Sequence, residues 1–312
     1  MSIRKQLGVL KWILLDGGWP EYSYNRRLDA LYRRALKQAA VLPPVPAATN
    51  ADVEIHMLCG TKHAPIALWA WWSLLRFCDG RFGAVTHSDG SLTPEDIARF
   101  QKAIPGMRVE AEKSLDEIFG PFGGKQRLGN IMDIRGRHKL AKKITDFHVL
   151  SKAKVVIILD SDILFFKKPV EVLDAIDECL NGGTHVVYNE DVQSNYMATP
   201  EVLSKHYQQP VPSCFNSGLV VFPRFDGPIL DRMEAVLAKA EEDWRKNYFL
   251  EQTVSAIMAG QFGATPLPKT YFVADGGHAI SPDAICVHYA GKGNRPDFFG
   301  HGIPKLLTEI RA

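Results

Sequence analysis

The chain has 312 residues, of which 46% are hydrophobic and 23% charged, and a formal net charge of +2. These are ordinary globular values: they argue against a largely disordered chain and give no overall electrostatic drive toward nucleic acid. Five scattered cysteines (Cys59, Cys78, Cys179, Cys214 and Cys286) form no C-x-x-C pair. Neither a disulfide framework nor a zinc site follows from them, and a reducing, cytoplasmic setting is expected.

In chain order, the apolar run at residues 8–15 (GVLKWILL) falls short of the roughly 20 residues a bilayer span needs, and it lacks the cleavage site of a signal peptide. Val9, Leu10, Trp12 and Ile13, flanked by Arg4 and Lys5, could form a weak peripheral membrane anchor; a helix packed on the core is the simpler reading. Residues 22–40 carry a helical pattern, and Pro43-Pro44-Val45-Pro46 reads as a linker. Residues 1–50 are therefore expected to be an N-terminal helical extension, and residues 51–312 a single domain.

From there strand and helix patterns alternate, the mark of a mainly parallel α/β sheet flanked by helices. Strands are expected at 53–59, 82–86, 108–110, 154–159, 185–188, 218–222 and 284–288. Helices are expected at 66–77, from Thr93-Pro94-Glu95-Asp96 onward, at 136–150, 229–245, 250–258 and from Pro304. Trp69, Trp71 and Trp72 in the first of these read as core.

The strongest strand ends in Asp160-Ser161-Asp162. Ligands in open α/β sheets sit beyond the carboxyl ends of strands, and two carboxylates placed there need a cation. Hard oxygen ligands suit Mn²⁺ or Mg²⁺, ions that also bind phosphate oxygens. Further on, Phe215-Asn216-Ser217-Gly218 precedes an apolar strand, with Asn216 and Ser217 offering hydrogen bonds and Gly218 letting backbone approach a ligand. Glu251-Gln252 opens an apolar helix, where Glu251 could equally be an acid stabilised by the helix dipole. A strand then ends in His288, followed by a glycine-rich cationic loop with Gly291, Lys292 and Arg295. Lys139, Lys142 and Lys143 precede the Asp-x-Asp strand, with Lys139 and Lys143 sharing a helical face. Asp89, after the second strand, is a candidate nucleotide contact.

This ordered set resembles the GT-A glycosyltransferases, most closely the retaining family of glycogenin and lipopolysaccharide galactosyltransferases. The shared order is a strand ending in Asp-x-Asp, a Phe-Asn-Ser/Ala-Gly segment, an acid–Gln pair and a C-terminal His-x-x-Gly loop. The likeness covers roughly residues 53–306. It implies a Rossmann-like GT-A fold and a nucleoside-diphosphate sugar donor, UDP as the expected nucleotide. The acceptor would be a hydroxyl of a saccharide, a lipid-linked sugar or a protein, with the anomeric configuration retained.

The resemblance further implies Asp160, Asp162 and His288 as metal ligands, with Asp160 also near the ribose. Lys143, Asn216, Ser217, Gly218, Gly291, Lys292 and Arg295 would contact the donor, and Glu251 and Gln252 would stand beside the reacting carbon. The family's lysine three residues after the loop glycine is replaced by Asn294, which shifts the diphosphate contact to Lys292 or Arg295. A nucleotidyltransferase, a phosphatase with an Asp-x-Asp strand, and a non-catalytic sugar-nucleotide binder remain as alternative readings.

Overall fold

The computed structural model describes residues 18–276 and 280–311; the apolar stretch at 8–15 lies outside them. The described residues form ten strands and ten longer helices. They run α1 (Trp19–Ala39), β1 (Val53–Cys59), α2 (Ala64–Leu75), β2 (Gly83–Ser88), α3 (Pro94–Ala103), β3 (Arg108–Glu110), α4 (Gly124–Arg137), β4 (Val155–Leu159), β5 (Ile163–Phe165) and α5 (Val170–Leu180). Then follow β6 (Val186–Glu190), α6 (Pro200–Tyr207), β7 (Phe215–Pro223), α7 (Gly227–Ala238), α8 (Leu250–Phe262), β8 (Ala264–Pro266), β9 (Tyr271–Val273), β10 (Cys286–His288), α9 (Gly291–Asp297) and α10 (Ile303–Arg311). Among the described residues no helix is long and apolar enough to cross a membrane, and the five cysteines are unbridged.

Seven strands form the main sheet in the order β3-β2-β1-β4-β7-β6-β8. Four of its pairings are parallel. The two that flank β7 are antiparallel, so the sheet is mostly parallel, as expected. Side chains alternate across it with the period of two that a strand imposes. Val155, Ile157 and Leu159 of β4 enter a core with α1, α2 and α5, while Val156 and Ile158 enter a second core with α4, α7 and α8. The result is three layers, with helices on both faces. Trp69 and Trp71 of α2 are fully buried and donate to Ala35 O and Thr86 Oγ1, which makes them core residues. The Thr93 capping box is present, with Asp96 as its acidic partner.

A second, three-stranded sheet, β5-β10-β9, was not foreseen. Of its strands β10 lies within the strand expected at 284–288, while β5 and β9, of three residues each, were not expected. Its place matters: β5 begins one residue after Asp162 and pairs with β10, which ends at His288.

Four sequence expectations are corrected here. The helix expected at 136–150 is broken: α4 ends at Arg137, His138 is extended, and Lys139–Lys143 forms a 3₁₀ turn before a short helix at Asp146–Val149. The tighter turn sends Lys142 to Glu112 and Lys143 to Asp160. The helix expected at 229–245 is two, Gly227–Ala238 and Glu242–Arg245. The Phe215–Gly218 segment is the start of β7 itself, because Phe215 and Asn216 pair with Glu190 and Asn189 of β6. The segment after His288 is helix α9 rather than a flexible loop, since Asn294 donates to Ala290 O and Ala274 O and ties it to the strand ends.

The Pro-rich segment is bound along its length: Val45, Ala47 and Ala48 donate backbone bonds to Ala103 O, Pro105 O and Phe82 O. Through it α1 packs on α2, and the inner face of α1 reaches the cleft described next.

Candidate metal centre and donor cleft

At the carboxyl end of β4 the backbone is held from two sides. Asp160 N donates to Gly218 O of β7 (2.7 Å), and Tyr289 N, just past β10, donates to Asp162 O (2.9 Å). The two acids therefore emerge where the two sheets meet, facing His288. Asp160, Asp162 and His288 each present a ligand atom within 4.8 Å of the others.

The polar contacts around these atoms are asymmetric in an informative way. Asp160 Oδ1 lies 3.0 Å from Lys143 Nζ, and Asp162 Oδ2 lies 2.7 Å from Arg295 Nη2. Each acid thus has one oxygen on a protein cation. The other oxygens, Asp160 Oδ2 and Asp162 Oδ1, stand 3.9 and 3.2 Å from His288 Nε2. The two acids have protein counter-charges, Lys143 and Arg295, which corrects the expectation that only an ion could balance them.

The histidine tautomer is set by its neighbours. Asn216 Oδ1 accepts from Gly218 N (2.9 Å) and faces His288 Nδ1 (3.0 Å), while Asn216 Nδ2 donates to Asp191 Oδ2 (3.1 Å). An amide oxygen cannot donate, so the proton of a neutral His288 sits on Nδ1. Its Nε2 lone pair then points at two carboxylate oxygens, an arrangement that is repulsive unless a proton or a cation lies between them. Burial opposes the charged ring, but Asp162 outweighs burial and raises the His288 pKa. Asp162, in turn, is held below the ordinary carboxylate range: burial opposes its charge, and Arg295 and His288 overcome that. Two oxygens and one imidazole nitrogen, with the second ring nitrogen fixed by an amide, make a donor set suited to Mn²⁺ or Mg²⁺.

Gly218 serves this ring. A Cβ there would lie 2.4 Å from His288 Cε1 and 2.7 Å from Nδ1, so the space left by the glycine is filled by the imidazole. Room for the imidazole is thus a reason for the glycine that does not depend on a ligand.

Lys143 is 3% exposed and sits at the centre of a second cluster. It donates to Ser217 Oγ (3.1 Å) and lies 3.7 Å from Glu251 Oε2. Burial disfavours its charge, but Asp160 and Glu251 outweigh burial and keep its pKa above the ordinary lysine value. Glu251, at the start of α8, accepts from Ser217 Oγ (2.9 Å) and Ser255 Oγ (3.0 Å); burial pushes its pKa up, with Lys143 opposing. Gln252 donates to Asn195 O (3.0 Å) and accepts from Ser217 N (3.4 Å).

These groups line one cleft of about 1030 Å³. Asp160, Asp162, His288, Lys143, Asn216, Ser217, Glu251, Gln252, Gly291, Lys292, Arg295 and Asp89 all border it. Asn25, Leu28 and Tyr32 of α1 border it too, and Tyr24 Oη donates to Lys292 O (2.5 Å). Nothing in the residue pattern of α1 marks it as a wall of the cleft. Nor does any pattern mark Asp191, a loop acid that borders the cleft and accepts from Asn216 Nδ2 and Asn195 Nδ2.

No protein-family model matches the sequence, and no curated protein matches it. Solved structures do match in chain path. Mouse xyloside xylosyltransferase 1, in its apo form, is 14% identical, with a TM-score of 0.45 over 78% of this chain and 98% of that one. The galactosyltransferase LgtC, solved with donor and acceptor sugar analogues, is 13% identical, with a TM-score of 0.47 over 79% of this chain and 95% of that one. The mannosyltransferase PcManGT from Pyrobaculum calidifontis, in complex with GDP-Man and Mn²⁺, is 16% identical, with a TM-score of 0.40 over 93% and 73%.

These three structures are of a xylosyltransferase, a galactosyltransferase and a mannosyltransferase. At such low identity and partial overlap, function has to be read from the side chains themselves.

Proposed function

We propose that this chain is a metal-dependent glycosyltransferase that moves a sugar from a nucleoside-diphosphate sugar, with UDP as the expected nucleotide, to an acceptor hydroxyl with retention. The observation that carries this reading is the convergence of Asp160 Oδ2, Asp162 Oδ1 and His288 Nε2 on one point of the cleft floor. The cleft is large enough for a nucleotide and a sugar together.

When bound there, a divalent ion supplies Lewis-acid stabilisation of the departing diphosphate. The side chains do the rest. Asp160, Asp162 and His288 hold the ion, each oriented by a partner of its own: Lys143, Arg295 and Asn216. Lys292 borders the same space with its backbone carbonyl fixed by Tyr24, and its ammonium is the group assigned to the phosphates. That assignment leaves Arg295 to Asp162. Ser217 and Asn216 face the sugar, and Glu251 lends negative charge to the anomeric carbon as it becomes cationic. Both oxygens of Glu251 accept serine hydrogen bonds, so this charge is fixed in place. The Gln252 amide is held between Asn195 and Ser217.

The test is a hydrolysis panel of nucleoside-diphosphate sugars in Mn²⁺, in Mg²⁺ and in excess EDTA. Slow release of sugar from one donor, abolished by EDTA and restored by the ion, is the expected result. Full activity in EDTA would remove the metal assignment. Binding of no nucleoside diphosphate, with or without ion, would remove the donor assignment.

A further inference from the structure

The outer face of α1 is used by nothing described so far. The helix buries Leu28, Tyr32, Ala35 and Ala39. At 3.6 residues per turn, Trp19, Arg26, Arg33 and Lys37 fall along the opposite line, with Arg27 and Arg34 beside it. All six are exposed, and Trp19 retains 61% of its surface. The helix carries five cations and two acids, an excess larger than the +2 of the whole chain.

Among the described residues none of these five cations is engaged in an ion pair. Some exposed cations elsewhere, such as Arg127, Arg137, Lys154 and Lys246, stand against Asp231, Asp133, Asp52 and Glu242; what sets α1 apart is five of them on one helix. A stripe of unbalanced like charges repels itself, so it favours contact with an extended anionic surface.

We propose that this face of α1 docks the protein on an anionic lipid bilayer. Charge complementarity supplies the attraction, and the exposed indole of Trp19 at the N-terminal end of the stripe selects lipid over nucleic acid. Trp is the residue that prefers the level of lipid headgroups, whereas a duplex offers an exposed indole no comparable place. The sequence at 8–15, separated from the helix by Asp16-Gly17-Gly18, is largely apolar and holds a second tryptophan, Trp12. The opposite face of the same helix lines the cleft through Asn25, Leu28 and Tyr32. Docking therefore holds the cleft close to the bilayer and fits a lipid-linked hydroxyl as acceptor; this last step rests on the glycosyltransferase reading, while the docking does not.

The experiment is co-sedimentation of the full chain with phosphatidylcholine vesicles, with and without one-third phosphatidylglycerol. Binding to the anionic vesicles alone, weakening as salt rises, is expected. Each cation near such a surface contributes about five-fold in affinity, so the triple variant Arg26→Gln/Arg33→Gln/Lys37→Gln should lose on the order of 100-fold. Its melting temperature and its metal-dependent donor hydrolysis should be unchanged, because none of the three borders the cleft. Trp19→Ala should lose binding without any change in salt dependence. Failure to bind anionic vesicles, or equal binding by the triple variant, would overturn the proposal. Tighter binding to a DNA duplex than to vesicles would overturn it in favour of nucleic acid. Loss of hydrolysis alone, with vesicle binding intact, would instead count against the glycosyltransferase reading.

Discussion

The Cα of Gly218 faces the imidazole of His288, and a methyl group built there would lie 2.4 Å from Cε1. Gly218→Ala should therefore displace the ring and cost about 1–3 kcal/mol by overpacking. Because the displaced ring is a proposed ligand, Mn²⁺ affinity should also fall. Calorimetric Mn²⁺ titration beside a thermal melt checks both, and unchanged affinity would mean that His288 does not touch the ion.

Arg295 is expected to govern ion affinity without being a ligand. It orients Asp162 through one oxygen, and removal of such outer partners typically costs 10–100-fold in metal affinity. Arg295→Gln should show a loss in that range, with Arg295→Lys intermediate and nucleoside diphosphate affinity lowered only through the ion. Lys292→Ala should do the converse, weakening nucleoside diphosphate and sparing Mn²⁺. Reversal of the two patterns would return the phosphate role to Arg295. Asp162→Asn should lower turnover by orders of magnitude whichever cation holds the phosphates.

Lys143 is buried between two acids, 3.0 Å from Asp160 Oδ1 and 3.7 Å from Glu251 Oε2. Lys143→Met should cost about 3–5 kcal/mol, the usual loss when one partner of a buried ion pair is removed. Adding Glu251→Gln should recover part of this by removing one of the stranded charges. Urea unfolding of the two single variants and the double variant measures the coupling; strict additivity would mean that Lys143 and Glu251 do not interact.

Away from the cleft, three buried histidines set an acid limit. His56 Nδ1 meets His87 Nε2 at 2.8 Å, and His148 stacks on Phe225 at 3.6 Å. Burial lowers the pKa of all three. The unfolded chain takes up protons near pH 6.5, where the folded chain still holds these rings neutral. Stability is therefore full above that pH and falls as acid is added, by up to about 4 kcal/mol per pH unit for three rings. Unfolding free energies measured in urea at pH 7, 6 and 5.5 should decline steeply, and equal values would show that the rings are charged in the fold.

Much of the fold was legible because its longer elements have periods that sequence displays. The run at Val155–Leu159 is apolar on both faces, as a central strand must be, and Val53–Cys59 and Arg108–Glu110 emerge with the bounds expected of them. The second sheet was only partly legible: its β10 falls within the strand expected at 284–288, but β5 and β9 have three residues each and no strand was read there. The candidate ligands could be named from the ordered motifs, but their partners could not. Whether Arg295 faces a phosphate or Asp162 depends on how α9 sits against the ends of β9 and β10, and Asn294 ties it there by bonding Ala274 and Ala290 in a place where sequence suggested only a missing lysine. Likewise, helical spacing placed Lys139 and Lys143 on one face, yet the 3₁₀ turn gives Lys139 to Asp89 O and Lys143 to Asp160.

The candidate ligands lie on both sides of the seam between the two sheets: Asp160 and Asp162 follow β4, and His288 ends β10 more than a hundred residues later. During synthesis the amino-terminal part of a protein leaves the ribosome first and can begin to fold. A half-made chain could thus assemble β1 to β4 and display both acids while it still lacks the imidazole, Arg295 and the strand that pairs with β5. Such an intermediate would hold ions weakly and nucleotides poorly, so binding competence should arrive late and abruptly in translation. Stalled chains ending before Cys286 should accordingly resist protease over the first strands, yet gain no protection from added Mn²⁺ and nucleoside diphosphate.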